Sequence, residues 1–161
     1  MHYEIECFMN YPDLESYTHL DLLNEYKKEQ DICEQQVEAR NSPEWEYFMK
    51  FVEDNPELKP YRTEWTVYDE ELKLSGSIDM VYENPDGSLM IYDWKRSKEI
   101  SRINKFDQYA ETYCISHLPD SNFWHYSLQL NTYKAILERK YGKNVGIRIV
   151  WKNIRFMQWR W

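Results

Sequence analysis

The sequence predicts an α/β fold: a central mixed sheet, built on an antiparallel meander and flanked by helices. Three observations predict it. Residues 61–68, 73–83 and 89–95 are rich in aromatic and β-branched side chains and are divided by turn signals, as strands of a meander are. Residues 122–141 carry Tyr126, Leu130, Tyr133 and Leu137 at helical spacing. Two further strand-like runs follow, 145–151 and 154–161, around a turn near Lys152-Asn153.

Residues 1–10 read as the end of a helix, with His2, Ile5, Glu6 and Met9 at helical spacing, so the domain is expected to be shortened at its N-terminus. Residues 14–40 are polar, with weak periodicity through Leu14, Tyr17, Leu22, Leu23 and Tyr26. They predict an exposed helical insertion or a flexible excursion. Asn41-Ser42-Pro43-Glu44 is a helix start: a capping residue, Pro at the first position, then an acid against the dipole. Trp45, Phe48, Met49 and Val52 form that helix's apolar stripe, and Asn55-Pro56 stops it. Asp69-Glu70-Glu71 turns the first strand into the second, and Asn84 to Ser88 the second into the third. Residues 98–118 predict a helical or irregular bridge. Asp120-Ser121-Asn122 starts the long helix and Gly142 closes it.

The chain has 161 residues, enough for one domain with a substantial core, and a single domain over 1–161 is expected. Its 42% hydrophobic and 17% aromatic content exclude a disordered chain. No membrane span or signal-peptide layout is present, so the expectation is a soluble intracellular protein with no membrane partner. Cys7, Cys33 and Cys114 are few, odd in number and widely spaced, which fits reduced thiols and neither zinc nor an iron–sulfur cluster. A net charge of −8 argues against a general affinity for nucleic acid. The charge is uneven, however: Lys95, Arg96, Lys98, Arg102 and Lys105 follow one another closely, and local field governs a cleft.

The chemistry-bearing stretch is Gly76-Ser77-Ile78-Asp79, then Asp93-Trp94-Lys95. Strand alternation places Asp93 and Lys95 on one face and Trp94 on the other. Two carboxylates on neighbouring strands need a reason to be there, and Mg²⁺ or Mn²⁺ is one, since hard cations take carboxylate oxygens. Lys95 would orient an attacking water or, as the free amine, deprotonate it, or steady transition-state charge as the ammonium. Glu64, on the preceding strand and one face with Arg62, Thr66 and Tyr68, is either a further ligand or an exposed acid. Gln129 and Tyr133 are four apart on the long helix and suit a phosphate or a base; they read equally as a core tyrosine and its polar neighbour. His125, one turn earlier, is a nucleic-acid contact or simply a helix-start histidine. Arg96 is a candidate substrate contact. His2 could complete a metal's ligand set through a ring nitrogen, or be a frayed terminal residue.

Taken together and in order, His2 with Ile5-Glu6, Gly76 to Asp79, Asp93 to Lys95, and Gln129 to Tyr133 resemble the motifs of the PD-(D/E)XK nuclease superfamily. The branch they resemble is that of RecB nuclease domains and the mitochondrial genome maintenance exonuclease. Phrases such as Tyr61 to Trp65 and Phe123 to Tyr126 also look like nuclease-like proteins of large DNA viruses. The resemblance implies a restriction-endonuclease-like core and a Mg²⁺- or Mn²⁺-dependent deoxyribonuclease. It further implies an exonuclease on single-stranded DNA or duplex ends, serving replication, recombination or repair. By resemblance, Asp79, Asp93 and the main-chain carbonyl of Trp94 hold the metal, His2 adds a ligand, Lys95 serves the water, and Gln129 and Tyr133 face the substrate. Glu64 matches an acid on the first core strand. The alternative is an impaired nuclease-fold module that keeps its acids but only binds nucleic acid or a protein partner.

Overall fold

A computed structural model describes residues 2–10, 17–30, 43–95, 97, 99–151 and 157–158. Three helices come first: α1 (His2–Met9), α2 (His19–Gln30) and α3 (Pro43–Asp54). Three strands follow: β1 (Lys59–Asp69), β2 (Leu74–Glu83) and β3 (Leu89–Lys95). A bridge with one 3-10 turn (Tyr113–Ile115) leads to α4 (Asn122–Tyr141), β4 (Val145–Trp151) and the short β5 (Met157–Gln158). The sheet order is β1-β2-β3-β4-β5. β1, β2 and β3 pair antiparallel, as the turn signals predict; β3 and β4 pair parallel, with the bridge and α4 as their crossover. The fold is therefore α/β with a mixed sheet, and β3 and α4 occupy the residues expected of them. The last strand is described only at Met157–Gln158; the rest of 154–161 lies outside the described residues.

Two apolar layers sandwich the sheet. On one face, Ile5, Phe8 and Met9 of α1, Leu22 and Leu23 of α2, and Trp45, Phe48, Phe51 and Val52 of α3 pack on Met80, Tyr82, Tyr92 and Trp94. On the other, Leu130, Tyr133, Ile136 and Leu137 of α4 pack on Val67, Ile78, Val81, Leu89, Ile91, Val145 and Ile147. β3 alternates cleanly. Tyr92 and Trp94 join the first layer, with Trp94 edge-on to Phe48 and Phe51, while Leu89 and Ile91 join the second.

α2 departs from the expected exposed insertion or excursion: it is a helix with a buried side. Thr18 and Asp21 cap it reciprocally, Thr18 donating N–H and hydroxyl to Asp21 Oδ2, both at 2.8 Å, and Asp21 N–H returning to Thr18 Oγ1 at 3.4 Å. His19 is fully buried, sharing a 2.9 Å hydrogen bond with Tyr82. Gly142 closes α4 in the left-handed region at φ 63°.

One irregularity shapes the sheet. Ile78 packs with the α4 layer but Met80, two residues on, packs with the opposite layer. β1 does the same: Thr63 accepts a 2.9 Å hydrogen bond from Asn10, just beyond α1, while Trp65 meets Tyr141 at the end of α4. Residues two apart share a face on a regular strand, so both strands turn over here. The residue between on β1 is Glu64, at φ 43°; the residue between on β2 is Asp79. The pairs Thr63–Met80 and Trp65–Ile78 flank these two, and the ladder skips them. The alternation that would group Glu64 with Arg62, Thr66 and Tyr68 is thus interrupted at Glu64 itself.

Candidate active site

β3 supplies two of the candidate groups. Asp93 is 3% exposed, and its Oδ2 lies 2.8 Å from Lys95 Nζ. Both project to the α4 side, because alternation assigns Trp94 to the other layer. β2 supplies Asp79. The β2–β3 ladder runs from Glu83–Leu89 to Met80–Tyr92 and ends; one further step would pair Asp79 with Asp93. There the Trp94 N–H donates to Asp79 Oδ2 at 2.9 Å, so a side chain takes over where the ladder stops. The strands therefore part at the two carboxylates, with Lys95 at the rim.

α4 crosses above. The Lys95 ammonium stands 4.8 Å from the centre of the Tyr126 ring, an arrangement that holds a cation without neutralising it. One turn on, Gln129 Nε2 donates to Tyr133 Oη at 3.0 Å. Gly76 explains how Tyr133 reaches the sheet: a Cβ there would sit 2.3 Å from Tyr133 Cε1 and 2.6 Å from its hydroxyl. The glycine three residues before Asp79 is a space requirement, since its backbone runs under a tyrosine ring.

The remaining candidates are placed less centrally. Glu64 lies across the β1–β2 register from Asp79, and its Oε2 accepts from Ser77 Oγ at 3.3 Å. His125 is exposed and its Nε2 is 2.7 Å from Asp120 Oδ1, a contact at the start of α4. Arg96 and the side chain of His2 lie outside the described residues. Among the described residues, no three His, Cys, Asp or Glu side chains cluster as a ready metal cage. The structure thus brings Asp79, Asp93 and Lys95 to one end of the β2–β3 pair, with Tyr126, Gln129 and Tyr133 on the helix above. It keeps His125 out at the helix start.

The donor set fits the expected cation by its chemistry. Mg²⁺ is held by one or two carboxylates and otherwise by water and phosphate oxygens, so two aspartates on parting strands suit it without a third acid. The oxygen donors suit Mg²⁺ or Mn²⁺ and not a thiolate-seeking metal. Tyr126 is the residue that sequence reasoning assigned only to an apolar stripe. Its signal was available: it lies three residues before Gln129 and seven before Tyr133, on the same side of the helix.

A family model described as the PD-(D/E)XK nuclease superfamily matches residues 13–157, spanning β1 to β4 and all the candidate residues except His2. No curated protein matches the chain.

Proposed function

The chain belongs to the PD-(D/E)XK nuclease superfamily, and from that premise we propose that it is a Mg²⁺- or Mn²⁺-dependent deoxyribonuclease acting at Asp79, Asp93 and Lys95. The observation that carries the reading is the pairing of Lys95 with a buried aspartate where β2 and β3 part. Metal bound there supplies Lewis acidity toward a phosphoryl oxygen and a more acidic water. Asp79 and Asp93, with the Trp94 carbonyl, are the groups to hold it. The Trp94 N–H fixes the Asp79 carboxylate, which needs no reorganisation when substrate arrives. Lys95 donates from its ammonium to the attacking water or to the developing phosphoryl charge, and Tyr126 keeps that ammonium at the rim. Gln129 and Tyr133 offer an amide and a hydroxyl to the strand.

The motif order that resembles RecB nuclease domains, the mitochondrial maintenance exonuclease and nuclease-like proteins of large DNA viruses supports an exonuclease at DNA ends in replication, recombination or repair. One domain over 1–161 is part of the same proposal. The test is cleavage of labelled single- and double-stranded DNA with Mg²⁺ or Mn²⁺ by Asp79→Asn, Asp93→Asn and Lys95→Ala. Each is expected to lose at least about 100-fold in rate with secondary structure retained. Full activity in all three sinks the assignment. Calorimetric Mn²⁺ binding by a wild type that cuts nothing would make the protein a binding module on a nuclease fold.

A further inference from the structure

Between β3 and α4 the chain makes a hairpin-like excursion. Its two legs run antiparallel: Tyr109 bridges Pro119, the Ala110 N–H donates to the Leu118 carbonyl at 3.0 Å, and the Asp120 N–H donates to the Gln108 carbonyl at 2.9 Å. The 3-10 turn at Tyr113–Ile115 closes the tip, where the Leu118 N–H reaches the Ile115 carbonyl at 2.8 Å. Two asparagines clamp the base. Asn122 Oδ1 accepts the Ser101 N–H at 3.0 Å, and Asn104 Nδ2 donates to the Asp120 carbonyl at 2.5 Å. This bonded scaffold presents rings to solvent: Phe106 is 82% exposed, Tyr113 94% and Tyr109 51%. Rings of this size usually carry the core, so three left in water on one tethered hairpin mark a contact surface.

We propose that this hairpin docks a cationic, partly apolar segment of a protein partner. Charge selects the occupant. From Phe106 to Asp120 the sequence holds three acids, Asp107, Glu111 and Asp120, and no Lys or Arg. Asp107 and Glu111 are exposed and interleave with the rings of Phe106, Tyr109 and Tyr113. Over the described residues 99–120 the balance is four acids to two cations, and one of those cations, Arg102, lies 4.6 Å over the Phe123 ring. A phosphate backbone, an anionic membrane surface and a second copy of this chain, itself at net −8, would each bring negative charge to negative charge. A segment bearing Arg or Lys meets no such repulsion. Its charges pair with Asp107 and Glu111, its cationic heads lie on the tyrosine faces, and its side-chain stems and apolar neighbours cover the rings. The bonded legs favour docking as well, since a hairpin already held in shape has little loop freedom to lose. The inference goes beyond the nuclease reading and does not rest on it.

The test uses the whole chain and the fluorescence anisotropy of a labelled peptide of repeating Arg-Leu-Ser, at low salt. Peptides with Gln or Glu in place of Arg are the controls. The Arg peptide is expected to bind and the controls are not. Phe106→Ala and Tyr113→Ala alter exposed rings, should keep the wild-type melting temperature, and should each weaken the Arg peptide about threefold. Asp107→Asn combined with Glu111→Gln should weaken it similarly and flatten its salt dependence. Tyr3→Ala, at an exposed ring on α1, should change nothing, and neither should Glu53→Gln with Glu57→Gln, at two exposed acids around the end of α3. No binding at about 1 mM Arg peptide overturns the proposal. So does equal binding of the Gln peptide, or equal loss in the remote variants, which would reduce the effect to the charge of the whole chain. Ring-dependent binding of oligothymidine in place of the Arg peptide, or a ring-dependent dimer in sedimentation, gives the rings to another occupant and overturns it too. Cleavage with Mn²⁺ is measured in parallel, and the ring variants should cut at the wild-type rate. A wild type that binds the Arg peptide through the rings but never cuts keeps this inference and defeats the nuclease reading; one that cuts but ignores the peptide does the opposite.

Discussion

Asp93 is nearly buried and faces a lysine, which fixes what two substitutions should do before any substrate is added. Lys95→Met removes the cation beside a buried carboxylate and should cost on the order of 3 kcal/mol in urea unfolding without metal. Adding Asp93→Asn should recover part of that loss, and simple additivity of the two changes would show that the pair is not coupled. Gly76→Ala forces a methyl against Tyr133 and should cost roughly 1–3 kcal/mol, with partial rescue by Tyr133→Leu. At this scale much was legible. Asp93 and Lys95 sharing a face follows from strand alternation alone. Glu64 was not: nothing in a glutamate's chemistry announces φ 43°, a conformation worth about 1–3 kcal/mol of strain that only its neighbours across the sheet enforce. His19 was missed because its partner, Tyr82, is 63 residues away.

α2 shows how an element can hide. Twelve residues carry two buried leucines and a buried histidine among seven charged or amide positions, so periodicity is faint even though Thr18 and Asp21 spell a cap. Its burial predicts a pH response. Desolvation pushes the His19 imidazole from 6.5 down to about 4, against a smaller upward pull from main-chain groups of Asn55 and Val52. The unfolded chain takes up a proton that the folded chain refuses. Stability should therefore be undiminished above pH 6.5 and fall as pH drops toward 4, by up to about 3 kcal/mol. His19→Gln should flatten that slope, measured by chemical unfolding at several pH values. By contrast β3 and α4 matched their expected bounds, because β3 alternates along its whole length after a turn and α4 runs from Ser121 to the Gly142 stop. The bridge between them could be read only as helical or irregular, since its apolar residues serve neither period.

For the whole molecule, the two layers are carried by different stretches of chain, helices α1 to α3 on one face and α4 on the other. Deleting residues 2–9 would strip Ile5, Phe8 and Met9 from the first layer and should lower the melting temperature by several degrees or more, read by circular dichroism. Under the proposed function, cleavage should slow roughly tenfold between about 50 and about 200 mM salt, chiefly through KM, because a few cations of the bridge meet phosphates. No described helix is long and apolar enough to cross a membrane. The mixed sheet was legible from its turns and its crossover helix, whereas the turnover at Glu64 and Asp79 exists only once both strands are paired. β3 deals its residues alternately to oil and to chemistry. A slip of one position would push the Lys95 ammonium in among Phe48 and Phe51 and turn Trp94 outward. A mispaired copy would thus fall apart before it could persist as a folded but idle one, so the yield of stable protein should track the yield of working sites.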